Sequence, residues 1–190
     1  LTDDMKAKFD FAFRENKSVF DGHVYSLANY GSTMRLIYNQ DLFDLAGIDG
    51  PPETMAEMVE TAKKITEVGK KDGIYGFALN FKSPGSAFDR SIRQILQLSG
   101  YHGFGYDPNT VSYDFTKYGE VMSYFHQMHE DGSIIPGAET LDIDPMRAQF
   151  ALGKIGMYMS YSVEPGVYAS QFPTEVNWAA ALPPTLDGER

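Results

Sequence analysis

Apolar and polar positions alternate in two rhythms along the chain. Period two appears in Ile155–Ser160, and short apolar runs stand at His23–Leu27, Met34–Tyr38, Ile74–Leu79 and Val176–Leu182; all five are predicted strands. Helical spacing appears between them. Thr54 and Glu57 form a capping box, in which each side chain satisfies an orphan backbone donor of the other residue. Met55, Met58, Val59, Ala62 and Ile65 then share one face, with Glu57, Glu60, Lys63, Lys64 and Glu67 opposite, so this helix is predicted to end near Gly69. A further helix is expected from about Ser86, with Phe88, Ile92, Ile95, Leu96 and Ser99 inward and Gly100 just past its end. Another spans about Thr116 to Glu130 with Val121, Phe125 and Met128 inward, stopped by Asp131-Gly132. Shorter helices follow Asp41, Asp144 and Ser162. Asp144 reads as an N-cap ahead of Pro145, and Ser162 as an N-cap ahead of Val163-Glu164-Pro165. At the start, Thr2, Asp3 and Asp4 precede Met5, Phe9 and Phe13 at helical spacing, so residues 1–21 read as an amphipathic helical segment.

Strands alternating with helices predict an α/β arrangement, a mixed sheet flanked by helices. In open α/β sheets ligands gather beyond the carboxyl ends of strands, which makes Asn80 and Phe81 candidate binding residues. Arg90 and Arg93, in the next helix, read as solvent-facing charge. A glycine-containing turn, Ala28–Thr33, is expected to join the first two strands as a hairpin; it displays Tyr30 and Ser32, and shape alone favours an ordinary surface hairpin over a binding turn. The glycine- and aromatic-rich stretch 101–109 fits either a binding loop or a compact hairpin. Tyr161 and Ser162 stand where a strand feeds a helix, a place where backbone N–H groups meet polar ligands. Trp178, the sole tryptophan, reads as packing.

Composition narrows the class. With 43% hydrophobic and 22% charged residues, 190 residues can bury a sizeable core. A net charge of −10 argues against nucleic-acid backbones and anionic lipid as partners. Cysteine is absent, which removes disulfides, thiolate metal sites and cysteine nucleophiles. Thirteen Phe and 12 Tyr suit stacking on neutral polar ligands as well as core packing. Leu1 at the start and Arg190 at the end read as the bounds of a cut or processed piece, so the lack of a leader peptide leaves location undecided.

Catalytic and metal motifs do not assemble. GxSxG, P-loop and GxGxxG patterns are absent. His126 and His129 lack further ligands for zinc, and the Glu139, Asp142 and Asp144 cluster lacks a calcium-loop pattern. No catalytic residue, cofactor or metal is therefore expected. A pair of carboxylates for glycoside hydrolysis stays possible in principle, since its spacing is spatial.

The stretches VYSLANYGSTMRLIYNQDLFDLAGID, PPETMAEMVETAKKITE, GIYGFAL, FALGKIGMYMSYS and NWAAALPP, in that order between Gly22 and Pro184, resemble the extracellular solute-binding proteins of bacterial ABC importers, of the sugar-binding type. The resemblance implies a type II periplasmic-binding-protein fold in which two lobes close on a sugar or oligosaccharide. It makes residues 22–190 the second lobe and 1–21 the end of the first, truncated at both ends relative to the family. Tyr30 and Tyr161 would stack on the sugar, with Ser32 and Ser162 orienting it; members often carry tryptophan where Tyr161 stands. Implied partners are a solute and ABC permease subunits, and membrane contact would come only through an anchor outside this chain. The implied location is extracellular, cell-surface or periplasmic. A carbohydrate-active hydrolase domain and a ligand-sensing receptor domain are the alternatives.

Overall fold

The computed structural model describes residues 32–101, 105–107 and 110–189, with 2, 4, 7, 19–20 and 23–24 near the start. The chain forms two compact units, Leu1–Thr33 and Met34–Arg190.

In the first unit, Asp4 and Ala7 are helical, and the rest of the expected amphipathic helix lies outside the described residues. Its end differs from expectation. β1 (Val19–Phe20) is a strand, paired antiparallel with β2 (His23–Val24). A β-branched and an aromatic residue ahead of Asp21-Gly22 favour a tight hairpin over a continued helix.

The second unit is built on a four-stranded mixed sheet in the order β4, β7, β3, β8. β3 (Met34–Asn39) pairs antiparallel with both β7 (Ile155–Tyr161) and β8 (Trp178–Ala181), whereas β4 (Tyr75–Ala78) runs parallel to β7. The predicted hairpin between 23–27 and 34–38 is therefore not formed by β3. Over Leu36–Tyr38 both of its edges are hydrogen-bonded, to β7 and to β8, and no donor or acceptor remains for an earlier strand. The apolar run marked the strand; its partners lie more than a hundred residues away.

Successive side chains of the strands face opposite layers. Leu36, Phe77, Leu79, Met157 and Met159 enter the larger core, while Ile37, Ala78 and Tyr158 enter a smaller one on the other face. The larger core is closed by α1 (Gln40–Leu45), α2 (Met55–Gly69) and a helix of three parts described below, with α5 (Thr116–Glu130). Met55, Met58, Ala62 and Ile65 are buried as expected, and the capping box of Thr54 and Glu57 is present. α2 lies unusually close to β4 because Gly76 has no side chain. A Cβ there would stand 1.9 Å from the carbonyl oxygen of Ala62. The Gly76 N–H donates instead to Thr66 Oγ1 at 2.8 Å.

The smaller core is covered by α6 (Ile143–Ala151) and α7 (Glu164–Ser170), where Met146, Phe150, Tyr168 and Trp178 pack. The Trp178 ring meets Tyr168 edge-on at 5.2 Å, the packing role anticipated for it. Two expected caps move. Asp142, not Asp144, caps α6 by accepting from the Ile143 N–H at 2.9 Å. Asp144 sits in the first turn and pairs with Arg147 at 3.1 Å. Val163, not Ser162, precedes α7 and makes no side-chain cap.

The helix expected from Ser86 begins at Pro84. It comprises α3 (Pro84–Phe88), a π-helical turn Asp89–Arg93 and α4 (Gln94–Leu98). A short hairpin of β5 (Tyr106–Asp107) and β6 (Ser112–Tyr113) follows.

Candidate functional site

The parallel pairing of β4 with β7 decides which candidate residues meet. Phe77 stands beside Met157 and Ala78, the last residue of β4, beside Tyr158; β7 runs three residues further, to Tyr161, alongside the segment that follows β4. Asn80 and Phe81 continue from one strand end, Tyr161 and Ser162 from the other. Four of the six predicted residues thus share the carboxyl edge of the sheet, as the strand-end rule requires. Met34, the first residue of β3, lies opposite Tyr161. Ser32 precedes it by two positions, is exposed and belongs to the first unit; Tyr30 lies outside the described residues.

Each of the four is presented differently. Asn80 is buried. Phe81 is half-buried against the larger core, and its N–H donates to Ala138 O at 2.8 Å. That bond and a second, from Lys82 N–H to Leu141 O at 3.2 Å, lash the post-strand loop to the segment ahead of α6. Tyr161 is half-buried with its ring on the core, and Ser162 is exposed.

Sequence reasoning missed the cations here. Arg90, expected to face solvent, lies with its guanidinium carbon 5.3 Å from the centre of the Tyr161 ring. Its Nε and Nη1 are buried and have no hydrogen-bond partner. The physical reason is the π turn: one extra residue per turn rotates Arg90 away from the face that simple helical spacing assigns to it. Phe88, Ile92, Ile95 and Leu96 keep ordinary helical spacing, so the pattern of apolar residues carried no sign of the insertion. Nearby, Lys82 Nζ lies 3.3 Å from Asp142 Oδ2. The Ile143 N–H, then Lys82, with a smaller contribution from the charge of Arg90, hold the Asp142 carboxyl below its ordinary range. Arg93 Nε lies 3.0 Å from Asp89 Oδ1.

Behind Tyr161 the backbone is anchored by a buried polar network. Glu164, fully buried, accepts from Arg147 Nη2 at 2.6 Å, from Arg147 Nε at 3.1 Å, from Tyr158 Oη at 3.0 Å and from Ser160 Oγ. Tyr158 and Tyr168 share a hydrogen bond of 2.6 Å, and burial pushes both phenols well above their usual range. The last strand turn before Tyr161 is therefore fixed from below.

On its other side Phe81 borders a mainly apolar cavity of about 280 Å³, which Leu79, Met122, Phe125 and Ile134 also line. His126 and His129, expected to be a solvated pair, are exposed at its rim. Among the described residues no group of three or more His, Asp or Glu is arranged to hold a metal.

The chain has recognisable relatives. At 28% identity over 196 residues it matches a Brucella abortus (strain 2308) protein that bears a provisional binding-protein name, covering 100% of this chain and 45% of that protein. The chain thus spans about half the length of the curated relatives it matches. Its fold superposes on the cyclic alpha-maltosyl-1,6-maltose binding protein of Arthrobacter globiformis with a TM-score of 0.73 at 22% identity, covering 100% of this chain and 46% of that one. Maltose-bound T. maritima MalE3 gives a TM-score of 0.71 at 20% identity, covering 98% and 49%. These structures place the sheet and its flanking helices within the type II periplasmic solute-binding fold. The profile of the bacterial extracellular solute-binding proteins matches residues 2–189, nearly the whole sequence, and the chain belongs to that family.

Proposed function

We propose that this protein captures a sugar or oligosaccharide outside the cell, by closure of two lobes around it, and delivers it to an ABC permease. The observation that carries the reading is the convergence of Asn80, Phe81, Tyr161 and Ser162 on one sheet edge in a member of an extracellular solute-binding family. In this reading residues 22–190 belong to the second lobe and residues 1–21 to the end of the first. Tyr161 offers the ring on which a pyranose stacks, and Asn80 and Ser162 offer hydrogen-bonding groups for its hydroxyls.

Solved relatives of the same fold support a polyhydroxylated solute: one from Agrobacterium vitis holds D-mannitol, one from Thermotoga lettingae holds alpha-D-tagatose, and the GacH receptor of Streptomyces glaucescens holds acarbose. Closure would follow from the solute binding the closed form better than the open one.

The test is a thermal-shift screen of the protein expressed from its complete gene, against mono- and oligosaccharides. A ligand selective for the folded state adds about 2.7 kcal/mol of stability at a hundredfold excess over Kd and so raises the unfolding midpoint by mass action. A shift that Tyr161→Ala abolishes supports the reading. Binding of no carbohydrate at all, with tight binding of another solute class, overturns the sugar assignment.

A further inference from the structure

Arg90 is the least satisfied cation at the sheet edge. Lys82 has Asp142 as a carboxylate partner and Arg93 has Asp89, each within salt-bridge distance. Among the described residues Arg90 has no carboxylate within that distance, and its Nε and Nη1 donate to nothing while shielded from solvent. Its compensation is the face of Tyr161, 5.3 Å away. A buried N–H without an acceptor carries the desolvation cost of a lost hydrogen bond, more where the group is charged, and a ring face offsets only part of that.

The same contact has a steric consequence. On the reading proposed above, the Tyr161 ring is the surface on which the solute stacks. In the free protein one face of that ring is already covered by the guanidinium. For a sugar ring to take that face, Arg90 must swing aside, and the swing removes its contact with the ring. A neutral sugar leaves the displaced cation with hydroxyls only. A solute bearing a carboxylate supplies a charge-assisted acceptor, roughly twice as strong as a neutral one.

We infer that Arg90 is a specificity-determining residue that selects a sugar carrying a carboxylate, a uronic acid type of solute, by leaving the Tyr161 ring to pair with the solute's acid group. The inference rests on the sugar-capture reading for the nature of the ring and on Arg90 alone for the charge. It also gives a role to a cation set against a ring at the end of β7 in a chain whose net charge is −10.

The experiment measures binding by calorimetry to the protein from its complete gene and to its Arg90→Met and Arg90→Lys variants. The probes are glucuronate and digalacturonate, their neutral counterparts glucose and maltose, and succinate as an acid that is not a sugar. The expected result is at least tenfold tighter binding of a uronate than of its neutral counterpart. The Arg90→Met variant should stay folded and lose that preference, binding neutral sugars no more weakly than the wild type, and Arg90→Lys should retain part of the preference. Equal affinity for the acidic and neutral sugars, or a preference that survives in Arg90→Met, overturns the inference and leaves sugar capture standing. Arg90-dependent binding of succinate with no sugar bound supports the charge selection and overturns the sugar reading. Binding of none of the acids overturns the inference.

Discussion

Arg147 Nη2 lies 2.6 Å from Glu164 Oε1, and the Glu164 side chain has no solvent exposure. The pair joins α6 to the start of α7 beneath the strand end that carries Tyr161. Removing one partner of such a pair leaves a buried charge without compensation and costs about 3–5 kcal/mol. Arg147→Met is therefore expected to lower the unfolding midpoint by roughly 10 °C, measured by calorimetry. The same variant should weaken ligand binding at Tyr161, since Ser160 is held by Glu164 as well. An unchanged midpoint would mean that the pair is not closed in solution.

Alkaline pH should reach the same network through the tyrosines. Burial, first of all, raises the Tyr158 and Tyr168 phenols above the ordinary 10.0. A raised value in the folded state gives stability that is full below the unfolded value and is lost as pH climbs beyond it. Stability should thus fall above about pH 10, with tyrosinate absorbance from these two residues appearing only on unfolding. Tyr158→Phe should remove its share of that dependence, at a cost of about 1–3 kcal/mol at neutral pH from the donor that Glu164 loses. Ionisation of all tyrosines in a protein that stays folded would contradict this.

At acid pH the sign reverses for Asp142. Its carboxyl is held below the ordinary 3.8 by the Ile143 N–H and by Lys82. The stability it contributes is present above that value and is lost as pH falls through the lower folded value. Asp142→Ala should lower the unfolding midpoint at neutral pH and flatten the acid limb of the stability profile. A profile identical to that of the wild type would remove Asp142 as the cap of α6.

Two glycines should respond in opposite directions to alanine. At Gly76 the new methyl meets the backbone of α2 at 1.9 Å, so Gly76→Ala should destabilise by at least about 1–3 kcal/mol or misfold outright. Gly119 sits in α5, is exposed and has open space around its Cβ position. Gly119→Ala should stabilise by about 0.4–1 kcal/mol. Denaturant midpoints of the two variants check both signs.

Much of the second unit was legible from local rules. α2 and its capping box, α5 with Val121, Phe125 and Met128 inward, and the strands at 34, 75, 155 and 178 follow from side-chain period, caps and stop residues within a few positions of one another. Local rules fail where two local answers compete. At Val19–Phe20 an amphipathic helical pattern meets a turn pair, and the hairpin prevails. At residues 142–145 two aspartates can cap one helix, and the first does so.

Pairing was a different matter. A strand's period says which face is buried but not which edge it bonds, and β3 found both partners over a hundred residues later instead of in the stretch before it. The sequence by itself determined the layers, the family and which four candidate residues stand at strand ends, because each depends on short-range pattern or on motif order. The tertiary structure alone decided that β4 and β7 run side by side, bringing Asn80, Phe81, Tyr161 and Ser162 to one edge. It alone placed Arg90 over Tyr161, because a π turn changes the direction of a side chain without leaving a mark on the spacing of its apolar neighbours.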